Sequence, residues 1–140
     1  MKIYFLGSYV NGAVNTPARD ALHEEIEGKL HPEVEYIGAQ IDKASRMYSL
    51  MAKLKADLKE ADVLFLHPSR LGTSYFEIGE ALNQGKEIWV LAERENFGER
   101  GVYPYSRPNF KYIAMGDFAK LLSISSKVNF LAALSEGENR

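Results

Sequence analysis

The chain has 140 residues, 46% of them apolar and 26% charged, which is the length and balance of one globular domain. Its 17 basic and 19 acidic residues are mixed along the sequence and leave a net charge of −2, which argues against a basic face for nucleic acid. The absence of cysteine excludes a disulfide framework, a thiolate nucleophile and a cysteine-held zinc, and the first apolar run, Ile3–Leu6, stops at Gly7-Ser8, far short of the roughly 20 residues of a membrane span.

Short β-branched and aromatic runs alternate with longer segments of helical period. Ile3-Tyr4-Phe5-Leu6 reads as the first strand. Thr16-Pro17 starts a helix, with a hydroxyl to cap free N–H groups and a proline whose missing N–H costs nothing in the first turn. Ala18, Leu22, Ile26 and Leu30 form its apolar face. Val34–Ile37 is the second strand, and Met47, Leu50, Met51, Leu54, Leu58 and Ala61 mark the second helix. Val63–Leu66, apolar throughout, has the character of a central strand covered on both faces. A helix from about Ser74 to Asn83 ends at Gly85, and Ile88–Leu91 is the fourth strand. Residues 93 to 110 show no period and read as a long loop. Tyr112–Met115 is the expected fifth strand, followed by a helix beginning near Asp117; Glu136 to Arg140 reads as a frayed tail on a single domain of residues 1 to 135.

This alternation predicts an α/β fold, a flavodoxin-like or Rossmann-like sheet of five parallel strands in the order 2-1-3-4-5 with helices on both faces. Ligands of such sheets bind outside the carboxyl ends of the strands at the switch point, here between strands 1 and 3. The loops that matter are then Gly7–Asn15 and His67–Thr73. The first offers two glycines, the Ser8 hydroxyl and Tyr9 ahead of a helix start, suited to a phosphate or sugar or simply to tight turns. It has neither the spacing of a dinucleotide fingerprint nor the Lys-Ser/Thr end of a P-loop.

The second loop carries Ser69, Arg70, Gly72 and Thr73 and leads into Ser74-Tyr75-Phe76-Glu77. On the residues alone Glu77 has two readings. It is a capping-box partner of a Thr73 or Ser74 cap, or a carboxylate held near a helix N-terminus at the mouth of the cleft, where it would serve as a nucleophile.

Several pieces together resemble the nucleoside 2-deoxyribosyltransferase superfamily, and within it the 2′-deoxynucleoside 5′-phosphate N-hydrolases. They are Lys2–Ser8, Ala61-Asp62-Val63, Pro68-Ser69 with Leu71-Gly72, and Glu77-Ile78-Gly79-Glu80-Ala81-Leu82 leading to Gly85-Lys86. The resemblance implies that Glu77 attacks the anomeric carbon of a nucleoside or nucleotide and cleaves the N-glycosidic bond. It implies that Gly7 and Ser8 approach the sugar or its 5′ phosphate, that Ser69 and the neighbouring Arg70 bind the phosphate, and that Gly79 lets its helix pack close to the sheet. Gly72, Tyr9 and Tyr75 join the candidate binding residues. No cofactor is implied. The chain departs from the family pattern at Leu54, where a second acid stands eight residues before Asp62, with Asp57 out of phase; at Leu71, where many members have Asp; and in a loop one residue longer between Gly72 and Glu77. Tyr9, Tyr48 and Tyr75 are candidate substitutes as proton donors or stacking surfaces.

His23, His31 and His67 share no ligand spacing, so a metal site is not expected; His67 alone stands at the end of strand 3, beside the cleft. The resemblance also implies a homo-oligomer, a dimer or larger, for which the 93–110 loop with Tyr103, Tyr105, Ser106 and Arg107 is the candidate contact. The expectation is a cytoplasmic N-glycosidase acting on a small nucleoside or nucleotide, with no nucleic-acid or membrane partner. The alternatives are a nucleotide-binding module without chemistry, or a phosphoribohydrolase of the cytokinin-activating type, whose Gly-Thr-x-x-Glu turn is loosely echoed by Gly72 to Glu77.

Overall fold

The computed structural model describes residues 1–7, 9–10, 13–14, 16–37, 47–67, 75–92, 108–114, 120–123 and 127–138. In chain order they form β1 (Lys2–Leu6), β2 (Tyr9–Val10), β3 (Ala13–Val14), α1 (Thr16–Glu27), β4 (Glu35–Ile37), α2 (Met47–Glu60), β5 (Val63–Leu66), α3 (Tyr75–Asn83), β6 (Ile88–Ala92), β7 (Phe110–Ala114) and α4 (Lys127–Glu138). Five strands make one sheet in the order β4-β1-β5-β6-β7, and every pair in it is parallel. This is the expected α/β flavodoxin-like or Rossmann-like architecture. The chain turns from one side of β1 to the other between β4 and β5, so the switch point lies at β1 and β5. Among the described residues no helix is long and apolar enough to cross a membrane.

Alternation along the strands sorts the core into two layers. Ile3 and Phe5 of β1, Val63 and Phe65 of β5 and Trp89 and Leu91 of β6 face the layer that holds Leu22 and Ile26 of α1 and Phe130 and Leu134 of α4. Phe65 joins that layer together, stacking on Phe5 at 5.4 Å between ring centroids and meeting Phe130 edge-on at 6.0 Å. Tyr4, Leu6, Leu64, Leu66, Ile88 and Val90 face the other layer, with Leu54 and Leu58 of α2 and Ile78 and Ala81 of α3. Leu54 is wholly buried there.

Three boundaries differ from the sequence expectation. The stretch read as the loop Gly7–Asn15 contains an antiparallel hairpin, Tyr9 pairing with Val14 and Val10 with Ala13. Asn11-Gly12 stands between the pairs, and that dipeptide is the strongest short-range hairpin signal. The last sheet strand begins at Phe110, inside the region read as loop, because Phe110 is buried and pairs with Ile88. The closing helix runs from Lys127 to Glu138, past the residue at which fraying was expected.

The amino edge of the sheet is tied by three charged side chains, Asp62, Lys127 and Lys86. Asp62, just before β5, exchanges bonds with the start of β1: the Lys2 N–H donates to Asp62 Oδ2 at 2.8 Å, and the Asp62 N–H donates to the Lys2 carbonyl at 2.8 Å. The Lys127 ammonium, which opens α4, lies 3.3 Å from Asp62 Oδ1. Burial alone raises the Asp62 carboxyl, but the Lys2 N–H and the Lys127 charge outweigh it and hold the group below its ordinary value. Lys86 reaches back under α2 and donates to the carbonyls of Lys59 at 2.9 Å and Ala61 at 2.7 Å. Those carbonyls lie at the end of α2, where free acceptors and the negative end of the helix dipole attract a cation. Desolvation lowers the Lys86 ammonium from its ordinary value, the Asp62 charge opposing the shift.

α3 ends in a Schellman motif: the Lys86 N–H donates to the Ala81 carbonyl and the Gly85 N–H to that of Leu82, both at 3.0 Å, with Gly85 at φ +71°. Gly79 has no packing role. It is exposed, and a Cβ built on it meets nothing within 4 Å. The expectation that Gly79 allows close packing is corrected: α3 turns Ile78 and Ala81 to the core and Gly79 to the outside.

Candidate functional site at the carboxyl edge

At the other edge of the sheet Gly7 follows β1 and His67 follows β5, and the last residues of those strands, Leu6 and Leu66, are paired. α3 begins above them, and its third residue, Glu77, is fully buried. The Tyr4 hydroxyl donates to Glu77 Oε2 at 2.7 Å. The Gly7 N–H faces both carboxylate oxygens at 3.4 Å. Gly7 holds φ +126°, a conformation open to glycine and strained for other residues, and this presents its N–H to the carboxylate.

The carboxylate accepts from the Tyr4 hydroxyl and the Gly7 N–H, and its place in the first turn of α3 puts it at the positive end of the helix dipole. An ionised carboxylate held by fixed donors is what a nucleophile, or a stabiliser of developing positive charge, requires. The bonds to Tyr4 and Gly7 tie the carboxylate to residues 73 and 70 positions back along the chain, at the switch point. Thr73 and Ser74, the two candidate caps, lie outside the described residues.

The structure thus brings two expected site residues together, Gly7 and Glu77. Tyr9 lies in β2, in the hairpin that follows Gly7, and β2 runs against α3. Tyr75 is the first residue of α3 and 70% exposed. It precedes Glu77 by two residues, about 200° around the helix, and so emerges on another side. Tyr48 belongs to the first turn of α2. Ser8, Ser69, Arg70 and Gly72 lie outside the described residues, as do Leu71 and the 93–107 part of the proposed oligomer contact.

Tyr4 is the site residue that the sequence reading missed. The sequence places it in the first strand but gives its hydroxyl no role. The available signal was chemical, since a buried phenol needs a hydrogen-bond partner and the layer it faces had to supply one.

Of the histidines, His31 is a turn residue: its Nδ1 accepts the Glu33 N–H at 3.2 Å, and its own N–H donates to Leu122. His67 is only 2% exposed and directly follows β5 at the switch point. Among the described residues no cluster of three or more His, Asp or Glu could hold a metal ion.

Comparison of the chain with protein-family models, with curated proteins and with solved structures finds no match.

Proposed function

We propose that the protein cleaves the N-glycosidic bond of a nucleoside or nucleoside 5′-monophosphate, with Glu77 as the attacking carboxylate. The observation that carries the reading is the bonding of Glu77 to Tyr4 and Gly7 at the switch point of the sheet. It agrees with the resemblance of the Glu77–Lys86 segment to the nucleoside 2-deoxyribosyltransferase superfamily, in which a glutamate so placed attacks the sugar. In this reading one carboxylate oxygen forms an ester to the anomeric carbon as the base departs, and water or a second base then releases the sugar. Tyr4 and Gly7 hold the carboxylate on line with that carbon, which converts a bimolecular encounter into a positioned attack.

A second reading, a module that binds nucleotides without chemistry, is favoured by Leu54, a buried apolar residue where the family has an acid. One experiment separates the two. Wild type and Glu77→Gln are incubated with a panel of ribo- and deoxynucleosides and their 5′-monophosphates, and free base is measured by chromatography. Base release by wild type that the substitution abolishes is expected. Binding of a panel member without release by either protein would establish the binding module instead.

A further inference from the structure

Glu77 is 0% exposed, closed in by the protein while it accepts from Tyr4 and faces the Gly7 N–H. A carboxylate that attacks a sugar must come within about 3–3.5 Å of the anomeric carbon. This conformation is therefore a closed one, and some element has to move before a ligand reaches the site. The elements that hold Glu77 are built in too firmly to do so. β1 is paired on both sides, with β4 and β5, and its Tyr4, Phe5 and Leu6 are buried. α3 keeps Ile78 and Ala81 in the core, and α2, the helix beside it, contributes Leu54 and Leu58 to the same layer. β2 and β3 differ. Among the described residues they stand outside the five-stranded sheet and are joined to each other by two pairs, Tyr9 with Val14 and Val10 with Ala13. A two-stranded hairpin is marginal by itself, so of the described elements this one opens at the lowest cost.

The hairpin is also in the right place. Tyr9 is two residues beyond Gly7, a reach of at most about 7 Å, and β2 runs from there against α3, the helix that bears Glu77. We propose that the hairpin β2–β3 is a gate over Glu77, hinged at Gly7 and shut in this structure; that it admits a nucleoside or nucleotide rests on the glycosidase reading above. Gly7, at φ +126°, lacks the Cβ that would confine its backbone. Rotation about its φ and ψ swings the residues that follow and leaves its own N–H, and all of β1 with Tyr4, where they are. The gate opens without dismantling the bonds that hold the carboxylate. Closure over a bound sugar keeps bulk water from the reacting carbon while the ester forms.

The test reads the accessibility of Glu77 without any substrate. A carbodiimide with glycinamide labels carboxylates that solvent reaches, and fragmentation mass spectrometry follows Glu77 against Glu80, which is partly exposed on the same helix. Wild type is compared with Ala13→Pro, which removes a backbone donor from the Val10–Ala13 pair. Val10→Pro is the second variant if the first fails to give a cooperative melt, and hydrogen exchange of the hairpin amides is measured on wild type alone. The expected results are Glu77 labelling that rises about tenfold in the proline variant, with Glu80 unchanged, and hairpin amides that exchange about 10²-fold faster than those of β1. Glu77 labelled as fast as Glu80 in wild type, labelling unchanged by the proline, or hairpin amides that exchange only together with β1 would overturn the gate. Base release by the same wild-type preparation would then leave the glycosidase reading intact. Hairpin-dependent labelling in a protein that releases no base from the nucleoside and nucleotide panel would overturn that reading and leave the gate.

Discussion

The Tyr4 hydroxyl and Glu77 Oε2 lie 2.7 Å apart and join the first strand of the sheet to the helix that starts at its switch point. A bond from a neutral donor to a buried carboxylate is charge-assisted and contributes about 1.5–3 kcal/mol. Tyr4→Phe keeps the ring packing and removes the donor, so it is expected to lower stability by about that much and to slow base release at least tenfold. Thermal melting and the release assay measure the two effects. Unchanged values for both would mean that the phenol serves only to fill the core.

Gly7 and Glu77 share the same site, and Gly7→Ala probes the backbone donor. Alanine is strained at φ +126°, at a cost of about 1–3 kcal/mol, and relief of that strain would turn the N–H away from the carboxylate. Both the midpoint in urea and the rate of base release should fall. A variant with normal activity and a lowered midpoint would show that the N–H is dispensable.

Two glycines of α3 and its cap should respond to alanine with opposite signs. Gly79→Ala fills open space on an exposed helical position and should raise stability by about 0.5–1 kcal/mol. Gly85→Ala forces φ +71° on a residue with a Cβ and should lower it by about 1 kcal/mol. Chemical denaturation of the two variants side by side decides the matter, and a stability loss in Gly79→Ala would show that a neighbour covers that face.

Lys86 belongs to the same resembling segment as Glu77 but serves the amino edge. Lys86→Met removes two charge-assisted bonds to carbonyls at the end of α2 and should cost about 1–3 kcal/mol. The rate of base release per folded molecule should not change. A specific loss of activity with an unchanged melting temperature would contradict this structural role.

Acid should loosen the amino edge first. The Asp62 carboxyl is held below its ordinary value of 3.8, so its contribution is fully present above that pH and is lost as pH falls through the lowered folded value. Asp62→Asn keeps an oxygen for the Lys2 N–H and loses the charge opposite Lys127. Its stability should be lower at neutral pH and should converge with that of wild type below pH 3.8. Urea titrations at a series of pH values would reveal a gap that fails to close if Lys127 contributes nothing.

The strand order was legible in the sequence because each strand is a short apolar run and each helix carries its own period. Val63–Leu66 could be placed in the middle of the sheet because no polar residue interrupts it. Glu77 could be singled out because it follows the loop at the predicted switch point and opens the resembling segment Glu77–Lys86, although an acid at that spacing is also the ordinary capping-box pattern. Tyr4 could not, since what distinguishes it from Phe5 is a partner 73 residues away. Gly79 was misread for the same reason: a glycine in a helix reports a missing side chain, and only the fold decides whether that side chain would have met anything. The start of β7 was missed because Pro108-Asn109 precedes Phe110 and Lys111 follows it, and its pairing with Ile88 is not a local property.

α3 has nine residues, about 13.5 Å at 1.5 Å each, and the four residues of β5 cover about 13 Å. The helix is thus a strut that spans the sheet from one edge to the other, anchored at one end by Gly85 and Lys86 and carrying Glu77 at the other. The candidate carboxylate and the anchorage are separated by about 12 Å of helix. Loops at the carboxyl edge are then free to diverge in length and composition, and to recognise different ligands, while the register of the carboxylate is maintained from a distance by residues that never meet them.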